Sequence, residues 1–486
     1  MTLGSITKDS GMILASRLVI SFSNLLFIPI LTKNLSASDY GIWAQVWVTI
    51  PLVGAFIILG FDESIARFFP TKDKKEYSKD LLSLLMPIII MSLATSFAIY
   101  LLSGPISSLL FEENRIIAKY LSLIVLIWSL DLIFFAFLRG LRRMKFTSLL
   151  LSMHNIVEMG LATFFVLTGR GIEGAILSIL FTRSGLLVVL LAYSRNLVDL
   201  VRPRLSNAKI YAIYGMPTLP MVLSGWILSS FDRYMIAMFY SSTEVGYYDP
   251  AYILGQSIPF LIAGALGYTL TPHLSTLLHD GNAREVKNTL SFMMKMAIAI
   301  NVPFILGGIV VSKSLLSLIS TEVISQNAYR VLPLVAVGVS FYSFKIILSQ
   351  IWMLEKKTAM IGLTFSFSAA VNVILNIFLI PKYGLEGAAI ATLFAYGADL
   401  LITYILVNKE LMPRVGWMNL SKIFSSSLAM FIMVYLIYSY SPLLQNSLAI
   451  ILGVFVYLSI TKAINIFSDY EKEVIRDLGI PKFLFR

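Results

Sequence analysis

Leu81-Leu-Ser-Leu-Leu-Met-Pro-Ile-Ile-Ile-Met-Ser-Leu-Ala-Thr-Ser-Phe-Ala-Ile-Tyr-Leu-Leu-Ser103 runs for 23 residues without a charged side chain. A helix that crosses a bilayer needs about 20 mostly apolar residues, whereas an apolar run of about 10–14 is more often a buried core helix. The stretch therefore reads as a membrane crossing. The same window places further helices near 11–32, 40–60, 118–138, 147–168, 172–193, 211–238, 246–270, 289–311, 331–353, 360–380, 387–407, 420–439 and 445–465, fourteen crossings in all. Gly11 to Leu31 is long enough to span, and no small-residue cleavage site follows it. Pro and Gly interrupt several runs, notably Gly215, Pro217, Pro220 and Gly225 in the seventh. Neighbouring helices can re-satisfy the freed backbone groups, so such breaks are tolerated in a bundle.

Composition agrees. Of 486 residues, 57% are hydrophobic and 13% charged, with a mean hydropathy of +0.82, where a soluble chain carries charge at roughly a quarter of its positions. The expected fold is all-α and polytopic. A net charge of +11 does not point to nucleic acid, because the basic residues lie in short clusters between apolar runs and not along one face of a domain. Without cysteine there is neither a disulfide nor a thiolate metal site, and His154, His273 and His279 lack metal-ligand spacing. No catalytic residue, metal site or cofactor is expected: paired carboxylates, a nucleophilic triad and a nucleotide-binding loop are all missing from the pattern. No loop exceeds about 20 residues, too little to bury a core outside the membrane, so the function is expected to reside in the helices.

The Lys and Arg residues orient the chain. With fourteen crossings both ends share a side; 26 of the 38 basic residues fall on it, 7 on the other, and five within crossings. The positive-inside rule makes that side, and both termini, cytoplasmic.

The chain also repeats itself. Ser36-Ala-Ser-Asp39-Tyr-Gly41-Ile-Trp43 leads into the second crossing, and Ser241-Ser-Thr-Glu244-Val-Gly246-Tyr-Tyr248 leads into the eighth, 205 positions later. Each reads as a helix cap, a hydroxyl with a carboxylate three positions on. Gly171-Ile-Glu173-Gly174 before the sixth crossing is echoed by Gly384-Leu-Glu386-Gly387 before the twelfth, 213 positions later. Two echoes in the same order at nearly one offset predict two six-helix lobes around a central cavity, 1–205 and 206–408, with a helix pair and tail at 409–486. Both repeats start on the same side, which makes them parallel, as in transporters that rock about a site between repeats.

These residues resemble the polysaccharide-transporter (O-antigen flippase) family of the multidrug/oligosaccharidyl-lipid/polysaccharide exporter superfamily. The resemblance rests on Ser10-Gly11, on Leu35 to Trp43, on Gly60-Phe-Asp-Glu-Ser-Ile-Ala-Arg67-Phe-Phe, on Asp232-Arg233-Tyr, on Glu244-Val-Gly246-Tyr-Tyr248, and on Pro381-Lys-Tyr-Gly384-Leu-Glu-Gly387. It covers nearly the whole chain. It implies flipping of lipid-linked oligosaccharides, on polyprenyl-type carriers, by a protein that does not itself hydrolyse ATP. The implied partners are the lipid-linked oligosaccharide, the bilayer, and glycosyltransferases or a polymerase of the same pathway, with no nucleic acid.

Ionisable groups inside crossings cost about 2.5–3.5 kcal/mol on insertion scales and tend to face a cavity or a partner. Candidates for contacting cargo are Arg17, Arg183, Arg233 and Lys345, with Asn372 and Asn376 from the polar stripe Thr364, Ser368, Asn372, Asn376. Candidates for cation coupling are Glu158, Asp399 and Asp232. Alternatives stay open at each. Arg183 and Glu158 can simply pair and hold two helices together; Lys295, Lys345 and Arg17 can snorkel to headgroups; and the Asn stripe can be helix glue. Adjacent helix positions point about 100° apart, so Asp232 and Arg233 are not expected to pair face to face, and the breakers in 211–238 suggest a helix that bends. An exporter of drugs or small cations is the rival within this architecture, and a membrane enzyme of polysaccharide assembly is the rival outside it.

Overall fold

The computed structural model describes residues 3–440, 447–467 and 471, with side chains from residue 19 onward except 205, 265–270, 272, 440, 447 and 448. The described residues are helical, with no strand among them, and form two compact units, Met1–Asp249 and Pro250–Arg486. The first contains α1 (Leu3–Asn34), α2 (Ala37–Ile58), α3 (Phe61–Phe68), α4 (Lys74–Leu101), α5 (Ser103–Leu110), α6 (Arg115–Gly140), α7 (Met144–Phe165), α8 (Gly171–Ser194), α9 (Leu205–Gly215), α10 (Leu219–Phe239) and the opening turns of α11 (Ser242–His279). The second contains the rest of α11, then α12 (Ala283–Ile319), α13 (Glu322–Ala328), α14 (Val331–Leu354), α15 (Thr358–Leu406), α16 (Trp417–Tyr440) and α17 (Ser447–Ala463).

Nine helices among the described residues are long and apolar enough to cross a membrane. Runs 147–168 and 172–193 meet at a sharp break through Val166–Gly171, and runs 360–380 and 387–407 meet at another, at Gly384 inside α15. Outward-facing apolar side chains such as Phe97, Val188, Phe378 and Phe455 are each more than 60% exposed, the inverse of a soluble protein and what a hydrocarbon solvent favours. In the first unit the core is built where α4 and α8 pack on α6 and α1 packs on α7.

The two sequence echoes have physical causes. Gly171 (φ 55°, ψ −145°) and Gly384 (φ 56°, ψ −132°) adopt nearly the same backbone conformation, one open essentially only to glycine, and each turns one helix sharply into the next. Three residues on, a Cβ at Gly174 would stand 2.5 Å from the Arg170 Cβ, and one at Gly387 would stand 2.3 Å from the Leu379 carbonyl. The second glycine thus lets the outgoing helix pass against the incoming one. The glutamate between them reaches the residue preceding an earlier helix: Asn114 Nδ2 donates to Glu173 at 3.5 Å, just before α6, and Arg330 Nη1 pairs with Glu386 at 3.2 Å, just before α14. Gly384→Ala and Gly171→Ala are each expected to cost about 1–3 kcal/mol, the strain of a side chain in that region. A melting temperature of detergent-solubilised protein unchanged from wild type would show that the bend is not held.

The capping echo is equally literal. Ser36 Oγ accepts the Asp39 amide at 3.0 Å and donates to the Asp39 carboxylate at 2.8 Å; Ser241 Oγ accepts the Glu244 amide at 3.4 Å.

Candidate functional site

Among the described residues, three groups of buried charge hold the residues singled out above; two of them lie in the first unit, and each of these is more crowded than the sequence suggested.

On α8, Arg183 is buried, with its guanidinium stacked on the Trp128 ring of α6 at 3.9 Å. Its Nε lies 3.7 Å from Glu158 of α7, and its Nη1 lies 3.9 Å from Asp131 of α6. Glu158 also meets His154 Nε2 at 3.2 Å, one turn back, and accepts a hydrogen bond from Thr182 Oγ1 at 3.4 Å. The predicted pairing of Arg183 with Glu158 is therefore present, but as part of a four-group cluster. Asp131, which sequence reasoning passed over, is its third member. Its carboxylate oxygens accept no hydrogen bond, so Arg183 alone offsets its charge. Two carboxylates thus face one guanidinium, with His154 against one of them. A buried unbalanced charge would cost several kcal/mol.

The second group joins α10 to the start of α11. Arg233 Nη2 lies 2.9 Å from Asp249 Oδ1, its Nη1 lies 2.9 Å from Asp232 Oδ1, and Nη1 also donates to the Ser229 carbonyl at 2.6 Å. Tyr248 donates to the other Asp232 oxygen at 2.5 Å, and Tyr40 of α2 donates to Asp249 at 3.2 Å. The expectation that Asp232 and Arg233 do not pair is overturned. The Asp232 carboxylate folds back over its own helix, accepting the Arg233 amide at 2.9 Å, and the long Arg233 side chain curls round to meet it, so the 100° between Cβ directions is closed by side-chain length. Asp249, sixteen residues downstream, was the missed partner. Within 211–238 the chain tightens to a 3₁₀ turn at Met216–Thr218, between α9 and α10.

Beside this group α2 meets the start of α11 with no side chain between them. A Cβ on Gly41 would fall 1.8 Å from the Ser242 carbonyl, and a Cβ on Gly246 would fall 1.9 Å from the Ala37 carbonyl. At the 205 offset Ala37 corresponds to Ser242 and Gly41 to Gly246, so the contact is reciprocal. Gln45 Nε2 donates to Ser242 Oγ at 3.1 Å, Thr49 and Tyr234 share a 2.5 Å hydrogen bond, and Trp226 Nε1 donates to the Val48 carbonyl at 2.7 Å.

The third group lies in the second unit. Lys345 of α14 is 1% exposed and Asp399 of α15 is 0% exposed, and they pair at 3.2 Å. These two residues were expected in separate roles, one toward cargo and one toward a coupling cation; the structure brings them together. At that depth Lys345 does not reach the surface by snorkelling. Along the first arm of α15, Asn376 Nδ2 donates to Asn372 Oδ1 at 3.0 Å, while Asn372 Nδ2, Asn376 Oδ1 and Ser368 Oγ, with Thr392 Oγ1 on the second arm, are buried without a hydrogen-bond partner. Lys295 pairs with Glu471 at 2.8 Å. The side chain of Arg17 falls outside the described residues.

Long apolar helices, sharp glycine bends and charges paired among the helices define a fold of the polytopic α-helical membrane class. Solved structures share the fold: a lipid II flippase in an inward closed conformation superposes with a TM-score of 0.75 at 18% identity, covering 97% of this chain and all of that one. A multidrug resistance transporter in an inward-facing conformation superposes at 0.64, also 18% identical, covering 81% and 96%. Residues 30–323 match the family of polysaccharide biosynthesis proteins, and the chain belongs to that family. A probable low-salt glycan biosynthesis flippase of Haloferax volcanii is 24% identical over 351 residues, 71% of this chain and 73% of that one.

Proposed function

We propose that this protein flips a lipid-linked oligosaccharide on a polyprenyl-phosphate carrier across the cytoplasmic membrane, with both chain ends cytoplasmic, by alternating access between lobes 1–205 and 206–408. Family membership together with relatives named as flippases carries this reading. Physically, a sugar–phosphate headgroup needs a polar route, since each unsatisfied polar group in hydrocarbon costs several kcal/mol, while the lipid tail can stay in the bilayer. Arg17, Arg183, Arg233 and Lys345, with Asn372 and Asn376, are the cargo-contacting residues in this reading. Support comes from the unpartnered amide atoms of the Asn pair, which helix glue would satisfy. The described cations among them are already neutralised by carboxylates, so anionic cargo would displace Asp131, Glu158, Asp232, Asp249 or Asp399 from a guanidinium or ammonium. Displaced carboxylates want a cation, which is how Glu158, Asp399 and Asp232 would link transport to a proton or sodium gradient.

Proteoliposomes containing the protein are expected to translocate a fluorescent lipid-linked oligosaccharide faster than protein-free vesicles. Equal rates would remove the proposal. The rival, export of drugs or small cations, predicts instead that a deletion strain becomes drug-sensitive while its surface glycan is unchanged.

A further inference from the structure

The segment that leads from α8 into α9 leaves one apolar side chain without cover. Leu200 is 97% exposed, more than any other large apolar side chain among the described residues, while Leu197 and Val198 just before it pack against the core of the first unit. The loop is not loose. The Asp199 amide donates to Ser78 Oγ at 3.0 Å and the Arg204 amide donates to Ser83 Oγ at 2.8 Å. Tyr77 Oη donates to the Leu197 carbonyl at 3.0 Å, and Lys74 pairs with Asp199 at 2.8 Å. These anchors all stand on the first turns of α4, so residues 199–204 are laid along that helix and Leu200 is held outward.

The anchors also fix its depth. Ser78 and Ser83 are five residues apart, about 7.5 Å along the helix axis, and Ser83 already lies inside the charge-free run that starts at Leu81. Leu200, between the two, stands level with the point where α4 passes from headgroups to hydrocarbon. Irregular backbone is tolerated toward hydrocarbon only where protein satisfies its polar groups. The two serine hydroxyls take two of the loop's amides, and Pro203 has none to satisfy. The charge left over has one sign. Asp199, the one carboxylate between Arg195 and Arg204, is held by Lys74, whereas Arg202 and Arg204 are exposed.

We infer that this loop is a docking surface for the headgroup layer of an anionic leaflet: Leu200 inserts among the upper methylenes of the lipid chains, and Arg202 and Arg204 meet lipid phosphates. An apolar side chain flanked by cations is how a segment settles in a membrane interface, its greasy part buried and its basic part on anionic headgroups. A lipid surface fits better than a soluble protein because the loop lies along α4 at the level where the apolar run begins. The inference needs no cargo and stands apart from the flippase reading; only the naming of that leaflet as cytoplasmic rests on the orientation proposed above. The loop also joins the two sequence repeats, so this contact brings the charge of the leaflet to the segment between them.

The chain has no cysteine, so Leu200→Cys carrying a nitrobenzoxadiazole dye reports this position in the full chain, reconstituted in nanodiscs of phosphatidylglycerol mixed with phosphatidylcholine. Emission is expected to be quenched by lipid spin-labelled near its headgroup and little by aqueous iodide. In the wild-type chain a photoactivatable phosphatidylglycerol is expected to label residues 196–204, with unlabelled phosphatidylglycerol competing and phosphatidylcholine not. Arg202→Gln with Arg204→Gln, both exposed, is expected to lower that labelling about 25-fold at an unchanged melting temperature, each basic residue near an anionic surface being worth about fivefold. A dye at position 200 that iodide quenches freely and spin-labelled lipid does not would put Leu200 in water and overturn the docking, leaving a soluble partner as its cover. Equal labelling by a photoactivatable phosphatidylcholine, or labelling unchanged in the double variant, would overturn the assignment of anionic lipid. Neither readout involves transport. A protein that translocates nothing can therefore pass both tests, and one that translocates can fail them, so the two readings fall separately.

Discussion

Arg183→Ala is expected to destabilise the first unit by about 3–5 kcal/mol, the scale of removing one partner from a buried ionic group, and to abolish translocation. The cost is large because Asp131 and Glu158 would both lose the guanidinium they face, and because the Trp128 face would lose it at 3.9 Å. Asp131→Asn is the informative contrast. It leaves one carboxylate for one guanidinium and keeps a side chain of the same size, so thermal stability is expected to stay within about 1 kcal/mol of wild type, since replacing rather than breaking a buried ionic group is often neutral. The two substitutions also separate architecture from transport. A cluster that only ties α6, α7 and α8 together predicts that Asp131→Asn transports normally at every pH. A cluster that takes up a proton predicts a changed pH profile in that variant with its melting temperature preserved. Should Arg183→Ala melt at the wild-type temperature, the charges do not meet as described.

How much of this was legible beforehand depends on the physics behind each feature. Membrane crossings announce themselves locally, since about 20 apolar residues in a row have few other uses, and over the described residues every predicted run falls on helix to within a few residues of its ends. The paired Gly-x-Glu-Gly motifs were legible as a repeat, but that each bends the chain, and what both glycines and the glutamate between them do there, only the geometry shows. Short helices such as α3, α5 and α13 escaped because two turns leave little periodicity. The charge partners escaped for another reason. Arg183 and Glu158 stand on helices adjacent in sequence and could be paired by proximity, but Asp131 to Arg183 and Lys345 to Asp399 are juxtaposed by packing, which no local pattern encodes. A usable signal existed all the same. Each of these residues lies well inside an apolar run, and buried charges are seldom left alone, so setting every interior carboxylate against every interior cation would have raised Asp131 as a candidate. The Asp232–Arg233 error came from treating Cβ directions as side-chain reach.

The start of α11 offers the second large effect. Gly41→Val places three carbons where the Ser242 carbonyl already stands 1.8 Å from the position of the first of them. Neither backbone can be pushed aside by rotating a side chain, so α2 and α11 must separate. Overpacking of this kind typically costs about 1–3 kcal/mol and sometimes more, and here it also strains hydrogen bonds that depend on the close approach, Gln45 to Ser242 and Tyr40 to Asp249. Weakening the latter frees one side of the Arg233 group without touching Arg233. The chain has no cysteine, so a single one can report the separation. Ser242→Cys, at a position 4% exposed, is expected to resist a polar maleimide in solubilised wild-type protein and to react readily when combined with Gly41→Val. Because the contact is reciprocal, Gly246→Val is expected to do the same through the Ala37 carbonyl. A smaller response from Gly41→Ala than from Gly41→Val would follow from graded wedging. Equal, slow labelling in all of these backgrounds would mean that the two helices do not touch at these glycines, and the pseudo-symmetric crossing would have to be abandoned.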